Sequence, residues 1–165
     1  MDLHGKNLVA GEWMDGRGDT TFQATNPTNG QKLEPAFLEA SSAQADTAIS
    51  EAHDAFQVLR TTAPEQRAGF LETLATNVES KADTILQRAE QETALGKARL
   101  HLELSRTIAQ PRLFAELIRE GSWVDAKIDR ADPNRKPLPR PSMRSMVQPI
   151  GPIAVFGASN FPLAI

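Results

Sequence analysis

Residues 148–165 read "QPIGPIAVFGASNFPLAI". The apolar run 153–156 follows Gly151-Pro152 and ends at Gly157, the composition of a strand buried on both faces of an α/β sheet. It passes through Gly157-Ala158-Ser159 into Asn160-Phe161-Pro162. In open α/β sheets ligands sit beyond the carboxyl ends of the strands. Asn160 carries an uncharged double donor suited to a developing negative oxygen. The same residue suits a helix N-cap equally well, and spacing leaves both roles open. Gly151 and Gly157 do not have the G-x-G-x-x-G spacing of a dinucleotide fingerprint.

Before this stretch, residues 125–142 hold Pro133, Pro137, Pro139 and Pro141 among Arg130, Arg135, Lys136 and Arg140. They read as an extended, solvated connection feeding an edge strand at 142–149. A proline-rich ligand or a nucleic-acid patch is the competing reading. The middle of the chain is helical. Ala45, Ala48, Ile49, Ala52, Ala55, Phe56 and Leu59 recur in steps of three and four from a start at Ser41 or Ser42, which makes one amphipathic stripe. Thr62 and Glu65 resemble a capping box with Pro64 in the first turn. Phe70, Leu71, Leu74, Ala75 and Val78 then share a face, and Ile85, Leu86 and Ala89 continue it past a break near Ser80. A third helix spans 98–120 with Gly121 as its stop, and Pro111 is expected to kink or divide it. Residues 8–34 read as β. "NLVAGEWM" and "TTFQATNP" are predicted to form a hairpin about "DGRGD", with a second turn at Asn29-Gly30. The Arg17-Gly18-Asp19 triplet is read as turn chemistry rather than an integrin ligand.

Bulk properties narrow the function classes. The 165 residues suffice for one domain, and hydrophobic and charged fractions of 40% and 24% are those of a globular protein. A net charge of −3 offers no general attraction to nucleic acid or anionic lipid. The absence of cysteine excludes disulfides, thiolate metal sites and a cysteine nucleophile within these residues. His4, His53 and His101 lack a second ligand at metal spacing, and Trp13 and Trp123 read as packing residues. Without a secretory leader or a long apolar run, the expected setting is cytoplasmic, with neither membrane nor nucleic acid as partner.

The closing stretch "QPIGPIAVFGASNFPLAI" resembles the aldehyde dehydrogenase segment in which a strand leads into an Asn-Phe-Pro-Leu turn. Other stretches agree in order. "GEWMDGRGDTTFQATNPTNGQ" is similar to that family's amino-terminal hairpin, "ETALGKA" to its Glu-Thr-Gly-Lys helix end, and "LFAELIREGSW" to the following helix. "FGASNFPL" is similar to the branch of α-ketoglutaric semialdehyde (2,5-dioxovalerate) dehydrogenases, and also to some bacterial long-chain fatty aldehyde dehydrogenases.

The resemblance implies an α/β fold made of the amino-terminal part of that family's fold. Residues 1–124 would form its hairpin and helices, 125–149 an oligomerisation strand, and 150–165 the start of a Rossmann-like core. It implies NAD or NADP as cofactor, an aldehyde substrate and a homo-oligomer joined through 136–148. In that chemistry a cysteine thiolate attacks the aldehyde, hydride passes to nicotinamide, and a glutamate-activated water hydrolyses the thioester. Asn160 matches the oxyanion-hole asparagine, and Phe156, Gly157, Ala158 and Ser159 match the run lining the cofactor cleft. Ala158 and Ser159 replace the family's usual proline and tryptophan there. The resemblance also implies an amino-terminal piece lacking nucleophile and general base, inactive alone and poorly stable, or else a separate binding or oligomerisation module.

Overall fold

The computed structural model describes residues 3–158 and 160–163. Its elements run β1 (Asn7–Val9), β2 (Glu12–Met14), β3 (Thr21–Thr25), β4 (Lys32–Leu38), then α1 (Ser42–Leu59), α2 (Pro64–Ser80), α3 (Ala82–Thr93) and α4 (Lys97–Glu120). A 3-10 turn at Ser122–Val124 leads to β5 (Lys127–Asp129) and β6 (Met143–Ser145). The strands form three separate antiparallel pairs, β1 with β2, β3 with β4, and β5 with β6.

The first hairpin turns at Ala10-Gly11, not at "DGRGD". Val9 pairs with Glu12, leaving a two-residue loop in which Ala10 (φ 54°) and Gly11 (φ 82°) are both left-handed. Two positive φ values match the twist of the flanking strands. Gly16 and Gly18 serve a different purpose: a Cβ on either would collide with the backbone of Leu38 and Glu39. Gly18 N–H donates to Glu39 O at 2.8 Å, so these glycines let the loop between β2 and β3 approach the end of β4. Asn29-Gly30 does sit in the next turn, where Gly30 has φ 72° and donates to Asn26 O. That turn joins β3 to β4, whose Phe22 and Phe37 pair across the strands with ring centroids 5.3 Å apart. Trp13 is 55% exposed and meets the His4 ring edge-on, so its packing is peripheral.

Gln44 ties this β layer to the helices. It begins as the third residue of a capping box, exchanging hydrogen bonds with Ser41 at the start of α1. Its side chain also accepts from Arg17 N–H at 2.8 Å and donates to Asp15 O at 3.0 Å. Only 6% of it is exposed. The apolar stripe of α1 is mostly exposed, Ile49 at 67% and Leu59 at 50%. α1 lies against β1, a contact too small to cover a stripe of five turns.

α2 and α4 form the core. Ala68, Ala75 and Ala115 are fully buried, with Leu100 and Leu104 nearly so. The helices are antiparallel, since Arg119 reaches Glu65 and Glu72 while Arg112 reaches Glu79. The buried face of α2 is therefore centred on Ala68 and Ala75, and Phe70 and Leu74 remain exposed. The cap of α2 also differs from expectation. Ala63 is the N-cap without a side-chain bond, Thr62 donates to Val58 O, and Glu65 is drawn to Arg119 instead. The break near Ser80 is present, at Lys81. Pro111 does not divide α4, which runs unbroken to a left-handed Gly121.

β6 is shorter than predicted and pairs within the chain to β5, extended by an Asp132–Arg140 bridge. Residues 153–156 form no strand, and Ile153, Val155 and Phe156 are 72%, 74% and 92% exposed. A strand is a pairwise object, and none of the described strands lies beside this segment. No described helix is long and apolar enough to cross a membrane.

Two predictions follow from this architecture. Gln44→Leu should cost about 1–3 kcal/mol in denaturant unfolding, because the part-buried bonds to the Arg17 and Ser41 backbone N–H groups and to Asp15 O are lost. An unchanged midpoint would show that water replaces the amide without loss. The second concerns Arg119, whose hydrogen bonds hold the Glu65 and Glu72 carboxyls below their ordinary range. A lowered folded pKa adds stability that is present above the unfolded value and lost as pH falls through the folded one. The melting temperature of Arg119→Met should therefore lie below wild type at neutral pH, with the gap closing from about pH 5 downward. A gap independent of pH would assign the loss to packing. The gap should be modest, because the cluster is solvent-exposed and screened.

Candidate functional site

The 160–163 turn lies against the first half of α4, held by three side chains spaced four apart. Arg99, Glu103 and Thr107 share one helical face by that spacing. Arg99 Nη2 donates to the Asn160 carbonyl at 2.5 Å, and its guanidinium lies over the Phe161 ring, 5.4 Å from the centroid. Glu103 takes a different partner on each oxygen. Oε1 accepts from Arg99 Nε at 2.9 Å, and Oε2 accepts from Leu163 N–H at 3.2 Å. The single Thr107 hydroxyl proton is shared between Leu163 O and Glu103 O on its own helix. Both backbone polar groups of Leu163 are thus bonded to α4.

Burial makes this arrangement more than a surface contact. Glu103 is 5% exposed, between the core residues Leu100 and Leu104. A carboxylate in that position needs strong partners, since removing a charge from water costs several kcal/mol. Arg99 and the Leu163 amide provide them. Beyond the turn, a groove of about 310 Å³ is bounded by Leu71 of α2, by Arg106, Gln110, Pro111 and Phe114 of α4, and by Leu163. Leu163 therefore lines a largely apolar groove together with residues of the two core helices.

The residues singled out from sequence fall unevenly on this site. Asn160 is exposed, and α4 grips its backbone carbonyl rather than its side chain. No described helix starts at Asn160. Phe156, Gly157 and Ala158 form an exposed approach to the turn, and a Cβ at Gly157 would meet nothing. Ser159 lies outside the described residues. His53 contacts Gln57 on α1 at 3.2 Å, away from the turn in sequence and element. Among the described residues no group of three or more His, Asp or Glu side chains is arranged to hold a metal.

Arg99, Glu103 and Thr107 were not singled out by the sequence reading. One signal was available: Glu103 lies within an otherwise apolar buried stripe, between Leu100 and Leu104, where a solvated carboxylate is out of place.

Comparison with known proteins agrees with these observations. α-Ketoglutaric semialdehyde dehydrogenase 2 of Azospirillum brasilense is 41% identical over 165 residues, covering 99% of this chain and 31% of that protein. The α-ketoglutaric semialdehyde dehydrogenase of Acinetobacter baylyi is 40% identical over 161 residues, 98% of this chain and 30% of that one. The chain thus spans about a third of the length of these curated relatives. A solved aldehyde dehydrogenase of Brucella melitensis biovar abortus 2308 superposes with a TM-score of 0.70 at 26% identity, over 80% of this chain and 26% of its own. The family profile described as "Aldehyde dehydrogenase family" matches residues 13–165. With sequence, fold and the Asn-Phe-Pro-Leu turn in agreement, the chain belongs to the aldehyde dehydrogenase family.

Proposed function

We propose that the protein oxidises α-ketoglutaric semialdehyde (2,5-dioxopentanoate) to 2-oxoglutarate, with NAD or NADP as hydride acceptor. The observation that carries this reading is the close identity to two curated α-ketoglutaric semialdehyde dehydrogenases along nearly the whole of this chain. Its 165 residues include no cysteine. These residues therefore do not themselves supply the thiolate that this chemistry requires. This segment's own contribution is positional and electrostatic.

In this reading the Asn160 side-chain amide donates to the oxygen of the aldehyde as it becomes an oxyanion. Such a donor stabilises the transition state by about 3–4 kcal/mol. The exposed side chain of Asn160, with its backbone held by Arg99, supports the assignment. Residues 150–165 begin the cofactor domain, and Phe156, Gly157, Ala158 and Ser159 line its cleft. The fit is a matter of chemistry. An exposed run with open space at Gly157 lets a flat ring approach the backbone, although this segment has no glycine-rich phosphate loop. The nicotinamide, when bound, supplies the hydride acceptor.

Self-association is the remaining element of the proposal. Ile128, Leu138, Met146 and Val147 leave apolar side chains exposed along the β5–β6 ribbon and its flanks. A second copy would cover them by side-chain contact or by the free ribbon edge, since β6 already pairs with β5 on one side. Val147→Asp should shift sedimentation of the whole protein toward smaller species. An unchanged distribution would remove the ribbon from the assembly.

The activity is tested on the whole protein by following NAD and NADP reduction with α-ketoglutaric semialdehyde against a long-chain aliphatic aldehyde. Preference for the dicarbonyl substrate is the expected result, and preference for the aliphatic one would replace it with the fatty aldehyde reading. Asn160→Ala should lower kcat about 10²–10³-fold while the KM for cofactor stays near wild type. An unaltered kcat would remove Asn160 from the oxyanion hole.

A further inference from the structure

We propose that Arg99, Glu103 and Thr107 form a positioning clamp on α4 that fixes the direction of the Asn160 side chain. The proposal rests on the reading of Asn160 as the oxyanion donor and extends it to residues one layer behind the reacting atoms.

The geometry carries the argument. Three side chains on one helical face engage the 160–163 turn at both ends: the Asn160 carbonyl, the Leu163 N–H and the Leu163 carbonyl. The bond from Arg99 fixes the peptide plane on the carboxyl side of Asn160, and the Phe161 ring beneath the guanidinium opposes its rotation. With that plane held, the amide of Asn160 is left chiefly with its own side-chain torsions. Glu103 joins the two ends, since one oxygen orients Arg99 and the other holds Leu163. A structural filler between Leu100 and Leu104 would be apolar. A buried carboxylate there loses hydration, and Arg99 and the Leu163 amide are among the partners that offset the loss. α4 is a firm base for such a clamp because it packs against both α2 and α3, with Leu100 and Leu104 buried beside Glu103. Orientation at this level matters to rate, since a 1 Å misplacement of a catalytic group can cost about 100-fold.

The test uses the whole protein and four variants: Arg99→Met, Thr107→Val, Thr107→Ser and Asn160→Ala. Valine keeps the shape of Thr107 without its hydroxyl, and serine keeps the hydroxyl without the methyl. Thr107→Val and Arg99→Met should each lower kcat about tenfold or more with cofactor KM unchanged. Thr107→Ser should restore most of the rate, which a packing role would not predict. Amide exchange at Leu163 should accelerate in Thr107→Val while the α2 and α4 amides keep their protection. In the Asn160→Ala background, Arg99→Met should cause no further loss of kcat, because its effect passes through Asn160.

Unchanged exchange at Leu163 in Thr107→Val and Arg99→Met would overturn the clamp itself. Faster exchange with unchanged kcat would overturn its positioning role. A full additional loss from Arg99→Met in the Asn160→Ala background would show that the clamp acts through something other than Asn160. A silent Asn160→Ala would instead overturn the oxyanion reading, while the exchange measurement still decides whether α4 holds the turn.

Discussion

The close approach of α2 and α4 is the constraint on which the rest depends. Ala68 and Ala75 stand two turns apart on α2, and Ala115 faces that helix from α4; all three are without solvent exposure. Methyl groups at these positions let the two backbones come together where longer side chains would hold them apart. The long side chains are displaced to the edges of the seam. There Glu65, Glu72 and Glu79 find Arg119 and Arg112, whose pairings require the antiparallel direction. With α4 anchored, α3 packs beside it and the 160–163 turn lies along its first half. Its second function, as a platform for the turn, follows from the first.

The helices were legible because their information is local. Apolar spacing, Pro64 at a first turn and Gly121 at a left-handed stop are all read within a few residues. The hairpins were less so. Ala10 occupies a left-handed turn position that asparagine or glycine usually takes, so the glycines of "DGRGD" gave the stronger turn signal. Those glycines answer instead to the backbone of Leu38 and Glu39, more than twenty residues away. Residues 153–156 show the same limit from the other side. Their composition is that of a buried strand, but composition specifies a preference for neighbours and cannot provide them.

Asn160 was singled out through resemblance, whereas the side chains that bond the 160–163 turn were not. Arg99, Glu103 and Thr107 look like the polar positions of any amphipathic helix, and their bonds to the turn cross 56 to 61 residues of chain. No local window contains that separation. Gln44 is a partial exception. Its capping box with Ser41 is a four-residue pattern, whereas its bonds to Asp15 and Arg17 are again long-range. Local motifs thus mark where a side chain starts its work, and packing decides what else that side chain holds.

The two ends of α4 use arginine–glutamate pairing for different purposes. At the carboxyl end Arg119 bridges two carboxylates that stay substantially open to water, so salt and solvent weaken the pairing. At the amino end Glu103 is nearly buried, with the half-exposed Arg99 on one oxygen and a backbone amide on the other. Screening is weaker there, and the second partner adds direction as well as attraction. The exposed pair can be lost with little displacement, because the alanine seam still sets the distance between the helices. The buried pair connects Leu163 with Arg99 at the turn, beside the Thr107 bond to the Leu163 carbonyl. Charge at one end of the helix therefore adjusts stability, and the same chemistry at the other end sets geometry.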